Sequence, residues 1–247
     1  MAKFEIRDGV AIIPEGTTEI GEDAFYDCTS FESVTIPESV TKIGDNAFDG
    51  CSSLKSITLP DSVTSIGWYA FAGCTSLKNV TLPDSVTFLG ENAFSRCTSL
   101  ESVTISKSVT EIGHYAFDGC SLLKSVIIPE SVRKIGIGTF RWCTLLESIS
   151  IPELVTTIEC NAFMGCTSLK NITIPESVTR IEQNAFKGCT SLKSVTIPES
   201  VTKIDESAFD DCSALTAIYV PAEKTDYYKE LLPEKLHDKI VELAPEK

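Results

Sequence analysis

The chain has 247 residues, 43% of them hydrophobic and 23% charged, which is material for a sizeable core and not the composition of a disordered segment. Thirty-five acids against 21 bases leave a formal charge of −14. A surface that binds nucleic acid by displacing counterions, or one that settles on anionic lipid, is therefore not expected. No apolar run approaches the roughly 20 residues needed to cross a bilayer, so membrane insertion is not expected either.

In chain order, the first thirteen residues read as an N-terminal cap. Phe4-Glu5-Ile6 and Val10-Ala11-Ile12-Ile13 flank Asp8-Gly9, a two-residue hairpin signal. The charges at Lys3, Glu5, Arg7 and Asp8 interrupt any apolar stretch, so this segment does not read as a secretion signal.

From residue 14 to 220 the chain is periodic. Phenylalanines stand at 25, 48, 71, 94, 117, 140, 163, 186 and 209, a constant step of 23. Cysteines keep the same step from Cys28 to Cys212, and prolines from Pro14 to Pro221, with Ser106 in place of one. Nine units follow one another without insertion or deletion, the signature of a solenoid in which each unit packs on its neighbours. Within a unit, Ile57 and Leu59 alternate with Ser56 and Thr58, the period of a strand with one buried face. Pro60 marks the corner where that strand ends, and Val63 and Ile66 predict a second short extended segment. Gly67 to Gly73 is too short for a helix that stands alone and predicts one irregular or helical turn, with Ala70 and Phe71 facing the core. Stacked units would place the phenylalanine rings about 5 Å apart.

After Pro221 the period stops. Ala222 to Leu236 reads as a helix with Tyr228, Leu231 and Leu232 on one face, broken at Pro233, and Ile240–Leu243 as a last strand. Residues 221–247 thus form a C-terminal cap with a short helix, of the kind an open solenoid end needs.

The unit Cys74-Leu77-Val80-Leu82-Pro83-Val86-Leu89-Ala93-Phe94 recurs through residues 14–220, and this pattern resembles the 23-residue leucine-rich repeats of the BspA-like type. The resemblance implies a β-rich (α/β) solenoid: a nine-unit right-handed superhelix of short strands and short helical turns, closed by caps. It further implies a scaffold for adhesion or protein binding, secreted or displayed at a cell surface. Phe31 in place of leucine, Ser106 in place of proline and Thr139 in place of alanine are isolated departures.

Nine of the ten cysteines share one repeat position and read as buried free thiols, since parallel side chains in a column suit a disulfide poorly. Cys160 falls at a position read as facing solvent. The carboxylates after the corner prolines (Glu15, Glu38, Asp61, Asp84 and their equivalents) read as a solvated row, because no glycine-punctuated loop gathers them for calcium. Two histidines, His114 and His237, offer little for acid–base catalysis, and no nucleophile stands in register with either. No catalytic, cofactor or metal site is expected.

The informative positions are those where the nine units disagree. The two residues after the Ile-Gly step, and the two after each phenylalanine, vary most. In units three to seven these positions hold Trp68, Tyr69, His114, Tyr115, Ile137, Arg141, Trp142 and Met164, and Phe88 stands at a variable position on the second extended segment. An aromatic centre with a polar rim is the anatomy of a binding hot spot. These nine residues are the candidate partner-binding set. The open alternatives are a protein ligand, a second copy of this chain in a homodimer, or side chains folded back as extra core.

Overall fold

A computed structural model describes residues 4–244, and the outermost residues of both caps lie outside that range. Each unit closes one turn of a coil with three stretches. A first strand (Asn79–Thr81 in unit three) pairs in parallel and in register with its equivalent one unit on, so that Val80 faces Val103. A second, two-residue strand (Phe88–Leu89) pairs likewise with Glu111–Ile112. The third stretch is a run of turns with no helix. Inside the nine units the structure is thus strand and turn, and the only α-helix among the described residues is Thr225–Leu231, shorter than the sequence pattern suggests.

The turn stretch avoids helix because it makes its bonds between units. Phe48, Phe71 and Phe94 each donate a backbone N–H to the alanine carbonyl preceding the next unit's phenylalanine, at 2.8 Å. Residues on either side donate in the same way, Asn46 to Trp68 and Gly50 to Ala72, both at 2.8 Å. A third row of hydrogen bonds therefore runs beside the two sheets, and few backbone groups are left to water.

The core is what the period demands. Val63, Ile66, Ala70, Phe71, Cys74, Leu77, Val80 and Leu82 are all buried, as are their counterparts in the other central units. The phenylalanines stack in one column with centroids 5.0–5.7 Å apart and planes within 8° of parallel. Ser106 fits the proline corner by donating its hydroxyl to Asp84 at 3.0 Å and accepting the Ser108 N–H at 3.1 Å. At the N-terminal end Glu5–Arg7 and Val10–Ile12 form an antiparallel hairpin around Asp8 and Gly9, both at positive φ, and Phe4 stacks on Phe25. At the other end the helix buries Tyr228, whose hydroxyl donates to the Pro198 carbonyl at 2.9 Å, and Ile240–Glu242 adds a last parallel strand.

The second sheet is interrupted once, between Lys134–Ile135 and Thr157–Ile158, and the sequence explains where. The residue after each second strand is glycine through unit six (Gly21, Gly44, Gly67, Gly90, Gly113, Gly136) and then Glu159, Glu182 and Asp205. A Cβ added to Gly136 would stand 2.7–2.9 Å from the backbone of Gly113 and His114, so stacking as the glycine units do leaves no room for a side chain. Glu159, Glu182 and Asp205, by contrast, stack among themselves with the same backbone bond, Glu182 N–H to Ile158 O at 2.9 Å. Glu159 brings a Cβ to that contact, and unit seven stands off. At the same seam Leu154 replaces a serine. Ser131 and Ser177, its counterparts, each donate a hydroxyl to a valine carbonyl of the preceding unit at 2.7 Å, a bond that Leu154 lacks. A narrow void lined by Ile135, Val155, Ile158, Ala162 and Phe163 marks the gap. The first sheet and the turn row continue across it.

Candidate functional site

Eight of the nine candidate residues lie along the turn face, and Phe88 projects from the second sheet round the corner. Trp68 is 53% exposed and Trp142 47%; Tyr69 and Phe88 are also exposed, while His114, Tyr115, Ile137, Arg141 and Met164 are half-buried. The stacking step along this face is 5.2–5.7 Å from unit three to unit seven.

The backbone of this face sets a rule that four of its side chains break. Two columns are held at positive φ, the left-handed region that favours glycine and, less strongly, asparagine and aspartate. In the first column stand Asp23, Asn46, Asn92, Gly138, Asn161 and Asn184, and in the second Asp27, Gly50, Gly73, Gly119, Gly165, Gly188 and Asp211. Tyr69 (φ 56°) and Tyr115 (φ 57°) interrupt the first; Arg96 and Trp142 (both φ 59°) interrupt the second. No other bulky side chain within the nine units adopts this conformation among the described residues, and all four fall in units three to six.

Three of the four, Tyr69, Arg96 and Tyr115, line one groove of about 700 Å³, together with Asp49, Gly50, Ala72, Gly73, Glu91, Asn92, Ser95, Asp118 and Arg141. At one end the Arg141 guanidinium grips Asp118 through two bonds, Nε to Oδ1 at 2.8 Å and Nη2 to Oδ2 at 2.9 Å, and lies 4.9 Å from the centre of the Tyr115 ring. Asp118 is only 8% exposed, so this arginine is held by a buried carboxylate and its own pKa is raised, chiefly by that hydrogen bond. Asp49, at the opposite end, has its carboxyl pushed up by burial and by Asp27, while Arg96 draws it down. The Tyr115 ring lies over Gly138 and the Trp142 ring over Gly165, where any added Cβ would collide with the ring. These two glycines make the seats in which the aromatic side chains rest.

The remaining candidates do other work. His114 accepts the Ile137 N–H on its Nδ1 at 2.7 Å, the same service that Asp45 performs for Trp68 at 2.8 Å, so its ring secures the backbone of the next unit. Met164 accepts the Trp142 N–H through its carbonyl. Sequence reasoning missed Arg96, Asp118, Asp49 and Glu91. Arg96 carries a readable signal, since it is a bulky residue in a column otherwise mostly of glycine. It also missed Ile127, 83% exposed on the first sheet in a row otherwise mostly of threonine.

The cysteine column is inward and unbridged. Cys51 through Cys212 at the repeat position are buried, and Cys28, in the end unit, is half-buried. Each buried thiol donates to the phenylalanine carbonyl of the preceding unit, Cys97 to Phe71 at 3.1 Å for example. Burial pushes the Cys51 and Cys212 thiols up to about 12 and their inner neighbours well up. With a thiol reagent at pH 8, only Cys28 and Cys160 are expected to react in the native protein, the other eight following global unfolding. A third thiol labelled at the native rate would contradict this burial.

Compared with known families, residues 18–146 and 134–232 match the BspA type leucine rich repeat region. The chain belongs to the BspA-type leucine-rich repeat family. Among solved structures, this BspA-type chain is similar to a leucine rich cell surface protein of Faecalibacterium prausnitzii, with 38% identity and a TM-score of 0.59 over 85% of this chain and 65% of that one. It therefore spans less than two thirds of that relative's length. A Treponema pallidum leucine-rich repeat protein shares 30% identity at a TM-score of 0.64, over 77% of this chain and 87% of that one. The pneumococcal vaccine antigen PcpA, at 23% identity and a TM-score of 0.62 over 96% and 80%, shows the same fold. No curated protein matches the chain. No described helix of this BspA-type solenoid is long and apolar enough to cross a membrane.

Proposed function

We propose that this chain is a non-enzymatic binding module that recognises a protein partner, in adhesin-like fashion, through the turn face of units three to seven. Tyr69, Tyr115, Arg141, Trp142 and Met164 form the centre of that surface, with Trp68, His114, Ile137 and Phe88 around it. The carrying observation is the placement of Tyr69, Arg96, Tyr115 and Trp142 at positive φ. A bulky side chain there costs about 1 kcal/mol or more, a cost that glycine and asparagine in neighbouring units avoid. Four such residues side by side, on one exposed face, are what selection for a surface produces and what selection for stability removes. The cell-surface description of the F. prausnitzii relative supports display outside the cell.

Trp68 and Trp142 are the only tryptophans, so their fluorescence reports on this surface alone. Emission is expected to be red-shifted and readily quenched by acrylamide at every protein concentration. Protection that develops only on concentrating would reassign the face to a homodimer. Blue-shifted, quench-resistant emission in dilute solution would remove the binding surface altogether.

A further inference from the structure

Resting on the turn face as the binding face, we propose that the groove between Asp49 and Arg141 takes a glycan borne by the protein partner, one whose terminal sugar carries a carboxylate. Three features select that chemistry. The first is a cation with nothing to hold: Arg7, Arg141 and Arg180 sit in ion pairs, while Arg96 and Arg133 form none among the described residues, and of these two only Arg96 lines the groove. A guanidinium so placed presents a planar fork that a carboxylate fits.

The second is the surrounding polar set. Asp49 and Glu91 accept hydrogen bonds, Asn92 and Ser95 both accept and donate, and each planar side chain can serve two adjacent hydroxyls of a sugar ring. The exposed Tyr69 ring offers a face for the C–H side of such a ring, while Tyr115, fixed beneath Arg141 and over Gly138, holds the guanidinium in place. The buried Asp118 that grips Arg141 leaves this end of the groove preorganised before any ligand arrives.

The third is what the groove denies to other ligands. Its lining has Ala72 but no leucine, isoleucine, valine or methionine, so the groove offers an aliphatic side chain or an acyl chain little to pack on. An extended peptide would find no strand edge, because Tyr69, Phe71, Gly73, Asn92 and Arg96 already donate their backbone N–H groups to the next unit. A polyanion would meet Asp49 and Glu91 on a chain of charge −14. One carboxylate among several hydroxyls is the combination that remains.

The test is saturation-transfer NMR and calorimetry with 3′-sialyllactose and digalacturonate, which represent the two common sources of sugar carboxylates, and with lactose as the uncharged control. The expected result is binding of at least one acidic sugar, with lactose weaker by roughly tenfold or more, the loss of one charge-assisted pair. Arg96→Gly restores that column's own residue, so a loss of binding in this variant is not a loss of folding. It should weaken the acidic sugar by a similar factor, as should Tyr69→Asn. Ile127→Thr, exposed on the first sheet and outside the groove, should not. Failure of both acidic sugars, equal binding of lactose, or full binding by Arg96→Gly would overturn the proposal. Any of these outcomes would leave the tryptophan measurement to judge the wider surface on its own.

Discussion

Replacing Phe117 by alanine is expected to cost about 3–5 kcal/mol and to divide the unfolding transition in two. Phe117 is fully buried between Phe94 and Phe140, at centroid distances of 5.7 and 5.6 Å and within 7° of parallel. Its loss removes the ring's own burial and two stacking contacts, each worth about 0.5–1.5 kcal/mol beyond the area buried. In a solenoid the stability is close to a sum of unit and neighbour terms, so weakening the middle unit uncouples the units on either side. Urea unfolding followed by circular dichroism should show one transition for the parent and two for the variant. A single transition shifted by less than about 1 kcal/mol would mean that the phenylalanine column is not the main coupling between units.

Gly113→Ala is the second large effect, and it comes from backbone crowding. An added Cβ would stand 2.7 Å from Glu91 N, Gly90 C and Leu89 O, all main-chain atoms that cannot turn aside. Overpacking of this kind costs about 1–3 kcal/mol. The molecule shows such a parting where the glycine units meet Glu159, although Glu159, Glu182 and Asp205 go on to pair among themselves. The alanine variant is expected to open a second gap, so that the Gly113 amide, bonded to Leu89 O at 2.9 Å in the parent, loses its protection from hydrogen exchange. Unchanged protection at Gly113 would show that the column's glycines are not what permits close stacking. The contrast with Phe117 is useful, since one variant leaves a hole and the other has no hole to fill.

The period of 23 was legible because every unit must present the same inward residues to the next, and a single slip would turn the whole set outward. The hairpin at Asp8-Gly9 and the strand at the C-terminus were legible for the same reason: turn residues and alternation are local signals. The turn stretch was less so. Its backbone conformation is fixed by hydrogen bonds to residues 22 positions ahead, which no local propensity reports. The candidate site shows the same division. Disagreement between units led to Tyr69, Tyr115, Arg141 and Trp142, but gave no reason to join Arg96 and Asp118 to them. That reason is three-dimensional: Arg96 stands out because its column is held at positive φ, and Asp118 because Arg141, one unit on, reaches back to it. His114 was grouped with the aromatic residues by position, whereas its ring nitrogen is spent on the Ile137 backbone.

The central claim is that units three to six keep side chains that the solenoid itself does not want. It is tested most directly by the unfolding free energies of Tyr69→Asn and Arg96→Gly, each of which installs the residue that neighbouring units use at the same φ. Both variants are expected to be more stable than the parent, by about 1 kcal/mol each. A loss of stability in both would contradict the claim, because it would make these side chains parts of the solenoid's own packing and not the elements of a binding surface.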